Sequence, residues 1–114
     1  MKPDTINPTT ALAKTMEICF QKHLSLCVAE SVTGGRLSSA FTALPGSSKV
    51  LIEGLVCYSP ASKIARLHIN PELISQFGLV SQEVTLLMAK QIRKIMKSDI
   101  GIATTGNAGP EPND

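Results

Sequence analysis

A chain of 114 residues holds one core, because a domain of this size does not divide into two stable units. Its 43% hydrophobic and 18% charged content excludes a disordered segment, and a net charge of +2 is too small to point to a polyanionic partner. Cys19, Cys27 and Cys57 are an odd number without CxxC spacing, each among apolar neighbours, which argues for buried thiols in a reducing compartment and against a disulfide or metal framework.

The stretch "MKPDTINPTT" carries two prolines and polar side chains where a signal peptide needs an apolar core, and no run reaches the ~20 apolar residues of a membrane span. The expectation is a cytoplasmic protein without a membrane partner, with residues 1–8 a polar leader and 9–114 the domain. Leu12, Met16, Cys19, Phe20 and His23 fall at helical spacing behind Thr9 or Thr10 as a cap. "LSLCVAE" reads as a short buried strand. Leu37, Ala40, Phe41 and Leu44 then mark a second helix, stopped by Pro45 and Gly46.

"VLIEGLVCY", residues 50–58, suits a second strand, with Glu53 and Gly54 signalling a bulge or an edge. Ser59 can cap a helix that has Pro60 at its first position, and Asn70-Pro71 opens another short helix ended by Gly78. Ser81 opens the longest helix, to about Lys97. Its buried stripe holds Val84, Leu87, Met88, Ile92, Ile95 and Met96, opposite Lys90, Arg93, Lys94 and Lys97. "DIGIATT", residues 99–105, is the third strand, and a glycine and proline loop follows. Helices alternating with strands predict an α/β layered domain with a mainly parallel sheet. The turns "ESVTGG" and "TTGNAG" then share the carboxyl edge, where ligands bind in open α/β sheets.

Ser31, between Glu30 and a glycine pair, stands where a strand hands over to a helix. Unpaired N–H groups there can hold an oxyanion or a phosphate, or Ser31 or Thr33 can simply cap the helix. A serine nucleophile needs a base. His23 closes a helix and His68 lies in a turn, so neither is well placed. Lys63 stands in the first turns of the helix after Ser59-Pro60, where dipole and burial both disfavour an ammonium; a neutral lysine there can take the proton of Ser31, while a solvated surface lysine is the plainer alternative. Tyr58, at a strand end, either orients Lys63 or the substrate or is a half-buried aromatic with a wet hydroxyl. Glu30 either contacts substrate or closes the turn. The basic face of the long helix is read as a solvated surface rather than a nucleic-acid site.

"AESVTGG", "PGSSKVLIEGLVCYSPASK", "GLVS" and "TTGNAGP", in this order and spacing, resemble the C-terminal domain of the CinA family, which includes nicotinamide-nucleotide amidases. The resemblance covers about residues 10–110. It implies a three-layer α/β/α fold with a mixed, mainly parallel sheet of the anticodon-binding-domain-like type. It also implies cofactor-free, metal-free hydrolysis of the carboxamide of nicotinamide mononucleotide to nicotinic acid mononucleotide and ammonia. By motif Ser31 is the nucleophile and Lys63 its base, with Tyr58 beside them, and backbone N–H groups from Thr33 to Gly35 serve the oxyanion. Glu30, Thr33, Gly34, Gly35, Thr105, Gly106, Asn107 and Gly109 are the expected substrate-binding set.

The chain departs from the family pattern at Pro60, where asparagine is usual, and at Asn107, where an apolar residue is usual. Family domains also continue past the last loop with further strands and a helix, including an arginine that assists the substrate. On that reading the chain is a truncated domain whose open sheet edge leaves Ile92, Ile95, Ile100 and Ile102 poorly covered. A homo-oligomer or a marginal monomer with weakened catalysis is then expected, and a non-catalytic binding or interaction module is the alternative function.

Overall fold

The computed structural model describes residues 8–107. The elements run α1 (Pro8–Lys22), β1 (Leu26–Glu30), α2 (Arg36–Thr42), β2 (Leu51–Val56), α3 (Pro60–Leu67), α4 (Pro71–Phe77), α5 (Gln82–Met96) and β3 (Ile100–Ala103), with a 3-10 turn at Ser47–Lys49. Three of the helix starts are written in the sequence. The side chain of Ser59 accepts from the N–H of Ser62, that of Asn70 from Glu72, and that of Ser81 from Val84. Each such cap satisfies a helix-end donor and contributes about 1 kcal/mol. His68 and Lys97 close α3 and α5 in the left-handed conformation, and His23 takes the same conformation just after α1.

The strand order is β2-β1-β3, and both pairings are parallel. Among the described residues the three strands form a wholly parallel sheet. β1 is central and all five of its residues are buried. The register of β2 slips by one residue at Ile52, because Leu26 faces Leu51 while Cys27 faces Glu53. The strand is thus both bulged and an edge, the two signals read from Glu53 and Gly54.

Alternation along β1 assigns its side chains to two layers. Leu26 and Val28 pack with Met16 and Cys19 of α1 and Phe41 of α2. Cys27 and Ala29 pack on the opposite face with Leu67 of α3 and Val84, Met88 and Ile92 of α5. The result is the expected α/β/α arrangement, with one apolar cluster on each side of β1. The cysteines are buried and unpaired. Ile92 is fully buried, contrary to the expectation of poor cover, because it faces the sheet beneath α5; Ile100 and Ile102 pack against the α1–α2 cluster, and Ile95 alone of the four is exposed.

Candidate active site

Strand parity governs the first turn. Beyond Ala29 the chain places Glu30 toward α2 and Ser31 toward α3, so adjacent polar residues enter different surroundings. Glu30 is fully buried. Its Oε1 accepts from the Thr33 hydroxyl at 2.6 Å, the Gly35 N–H at 3.1 Å and the Leu37 N–H at 3.0 Å. Its Oε2 accepts from the N–H of Ser38 at 2.7 Å and from the Ser38 hydroxyl. Burial pushes its pKa up, but the bonds from Ser38, Thr33 and Leu37 outweigh it and bring the group down to about 2. Glu30 is therefore an ionised anchor for the start of α2. Of its two possible roles, these hydrogen bonds are those of a residue that closes the turn.

The helix-capping alternative for Ser31 and Thr33 is not what the geometry shows. The residue before α2 is Gly35, with φ 101° and no side-chain cap, and Glu30 takes the donors a cap would take. Gly34, at φ 59°, and Gly35 supply a left-handed pair that turns the chain over this carboxylate. The Gly34 N–H donates to the Ser31 carbonyl. The N–H groups of Gly34 and Gly35 are thus already engaged within the turn.

Lys63 comes from α3, where it shares the buried stripe with Leu67 four residues on. Only 1% of its surface is exposed. Its Nζ lies 2.7 Å from the Cys57 carbonyl oxygen, 3.1 Å from that of Tyr58 and 3.1 Å from Ser31 Oγ. None of these partners is a carboxylate. Burial pushes the lysine below its ordinary range, against a weaker upward pull from Cys57. A neutral amine has two N–H groups and one lone pair. With both N–H groups given to the carbonyls, a neutral Lys63 would keep its lone pair for the Ser31 hydroxyl, a contact that an ammonium makes as donor.

Tyr58 contributes through its backbone. Its side chain is 72% exposed while its carbonyl holds Lys63, so the lysine-orienting role belongs to the peptide and not to the phenol. Thr105 is spent elsewhere, since its hydroxyl lies 2.6 Å from that of Thr85, which itself donates to the Ser81 carbonyl on α5. Its neighbour Thr104, missed in the sequence, joins the Ser31 turn instead. Thr104 Oγ1 accepts from the Ser31 N–H at 3.3 Å and lies 2.7 Å from Thr33 Oγ1. The missed signal was parity: Ile100 and Ile102 face the α2 layer, so Thr104 does too.

Gly106 sits against the turn, where an added Cβ would meet Val32 Cγ1 at 3.1 Å. Asn107 is exposed, and Gly109 lies outside the described residues. His23 follows α1 at the amino end of β1, away from Ser31, and His68 ends α3. Among the described residues no group of three or more His, Cys, Asp or Glu could hold a metal ion, and no helix is long and apolar enough to cross a membrane.

The model of the CinA C-terminal domain matches residues 9–114. A CinA-like protein from Pseudothermotoga lettingae is 41% identical over 95 residues, covering 83% of this chain and 23% of that protein. The chain spans about a quarter of the length of such curated relatives. Among solved structures, a competence or damage-inducible protein from Enterobacter asburiae superposes with a TM-score of 0.87 at 38% identity, covering 95% of this chain and 69% of that one. A competence-damaged protein (CinA) superfamily protein from Escherichia coli gives 0.91 at 28% identity, covering 100% and 66%. Sequence motifs, layer order and these matches agree, and the chain belongs to the CinA C-terminal domain family.

Proposed function

We propose that this domain is an amidohydrolase acting on the carboxamide of nicotinamide mononucleotide, with Ser31 as nucleophile and Lys63 as general base. The observation that carries the reading is the buried Lys63 Nζ, 3.1 Å from Ser31 Oγ and fixed by two carbonyls. Ser31 Oγ attacks the carboxamide carbon as its proton passes to Nζ, forming a C–O bond and an oxyanion. Collapse breaks the C–N bond, and Lys63 returns the proton to the departing nitrogen, which leaves as ammonia. Water, deprotonated by the same amine, then attacks the ester; the C–Oγ bond breaks, Lys63 returns the proton to Ser31 Oγ, and nicotinic acid mononucleotide leaves.

With the Gly34 and Gly35 donors engaged, the N–H of Thr33 is the one assigned to the oxyanion. Gly106 and Asn107, beside the turn, are assigned to the nucleotide. Gly106→Val presses on Val32 and should weaken nucleotide binding in a folded protein, read by calorimetry. The test of the reaction is ammonia release from nicotinamide mononucleotide by the wild type, Ser31→Ala and Lys63→Met. Release by the wild type and its loss in both variants is expected. Equal release by all three would overturn the dyad.

A further inference from the structure

Beyond the dyad, a directed chain of hydrogen bonds runs from the nucleophile's own backbone to a buried carboxylate. Glu30, ionised, only accepts. The single hydroxyl proton of Thr33 is therefore committed to Glu30 Oε1, 2.6 Å away. The Thr33 oxygen offers only lone pairs to Thr104, so at their 2.7 Å contact Thr104 is the donor. Thr104, having given its proton, accepts from the Ser31 N–H at 3.3 Å. Each hydroxyl has one proton, and one assignment satisfies every contact.

The chain also ties two strands. The Thr104 N–H donates to the Ala29 carbonyl at 3.0 Å, which continues the β1–β3 pairing by one step. Thr104 is thus fixed to β1 by its backbone and to the turn by its side chain. Ser31 Oγ has Lys63 on one side, while its N–H is held on the other by the residue that follows β3.

We propose that Thr104 is a positioning residue for Ser31: its hydroxyl, oriented by Thr33 and Glu30, sets the backbone of the nucleophile so that Oγ stays on the Lys63 amine. The inference rests on the Ser31–Lys63 reading. It assigns to the carboxyl end of β3 a part in the reaction that needs no contact with substrate.

The test uses a fluorophosphonate, whose phosphorus bonds to an activated serine Oγ with loss of fluoride, so that Ser31 reactivity is read without the amide substrate. Labelling at Ser31 is followed by mass spectrometry across pH in the wild type, Thr104→Val, Thr104→Ser and Thr33→Val, with folding checked by thermal unfolding. The expected result is a labelling rate about 10-fold lower in Thr104→Val, with the same pH midpoint because Lys63 is untouched, and recovery to within about threefold in Thr104→Ser. Thr33→Val removes both the acceptor of the Thr104 hydroxyl and the link to Glu30 while keeping Thr104 itself, and the same direction of loss is expected. It stands in for Thr104→Val should that variant not fold.

Wild-type rates in both valine variants would overturn the proposal while leaving the dyad intact. Loss in Thr104→Ser equal to that in Thr104→Val would also overturn it, since packing and not the hydroxyl would then matter. A wild-type protein unlabelled at Ser31 would overturn the dyad, and this proposal with it.

Discussion

Glu30 and Lys63 are both buried ionisable groups at the carboxyl edge of the sheet, one in the turn after β1 and one in the helix after β2, and their surroundings drive them in opposite ways. Glu30 is met by five donors from the turn and from α2, which hold it ionised at about 2 in spite of its burial. Lys63 meets two carbonyls and one hydroxyl, and burial lowers its pKa. A saturated ion is a structural anchor. A desolvated amine facing a hydroxyl has the surroundings that the proposed base requires. Burial alone does not distinguish them; the inventory of partners does.

The comparison is broken most severely at Lys63. Lys63→Met and Ser31→Ala should each lower ammonia release by about 10³-fold or more, as expected for residues that act as one unit, while retaining the fold by circular dichroism. Stability sharpens the point. Because the folded protein holds Lys63 below its unfolded value of 10.5, the unfolded chain binds its proton more tightly, and stability should rise with pH between the lowered pKa and 10.5. Denaturant titrations should show that rise in the wild type and not in Lys63→Met.

Glu30 should behave in the opposite sense. Its folded pKa lies below 4.5, so its contribution is present above 4.5 and is lost as pH falls toward 2. Glu30→Gln sets an amide against donors that need an acceptor and should cost about 2–4 kcal/mol in urea unfolding, flattening the acid limb.

A smaller effect is expected at Gly54. A Cβ there would stand 2.1 Å from Ser38 Oγ, the hydroxyl that serves Glu30, so Gly54→Ala should push α2 off β2 at a cost of about 1–3 kcal/mol. Tyr58→Phe should have the least effect. Lys63 is held by the Tyr58 carbonyl, so loss of the phenol should leave the rate of ammonia release within about threefold of wild type.

Much of the frame was legible because its signals are local. Ser59, Asn70 and Ser81 cap the helices they were expected to cap, and the bulged edge of β2 was marked by Glu53 and Gly54. The pairing of Ser31 with Lys63 was legible from strand-to-helix order and motif together. Glu30 stayed ambiguous because its role depends on donors up to eight residues away in a helix whose approach no local pattern encodes. Thr104 and Thr105 are chemically identical neighbours, and only the face of β3 separates the one that reaches Ser31 from the one that reaches α5. Tyr58 was read from its side chain, whereas its contribution here is a carbonyl, which any residue supplies.

The most direct test of the account is the pH dependence of ammonia release from nicotinamide mononucleotide by the wild-type chain. Since the base must be neutral to take the Ser31 proton, the rate should rise with pH along a limb whose midpoint lies below the ordinary lysine value of 10.5. A limb at the ordinary lysine value, or no ammonia release at any pH, would contradict the claim that burial has made Lys63 the base for Ser31.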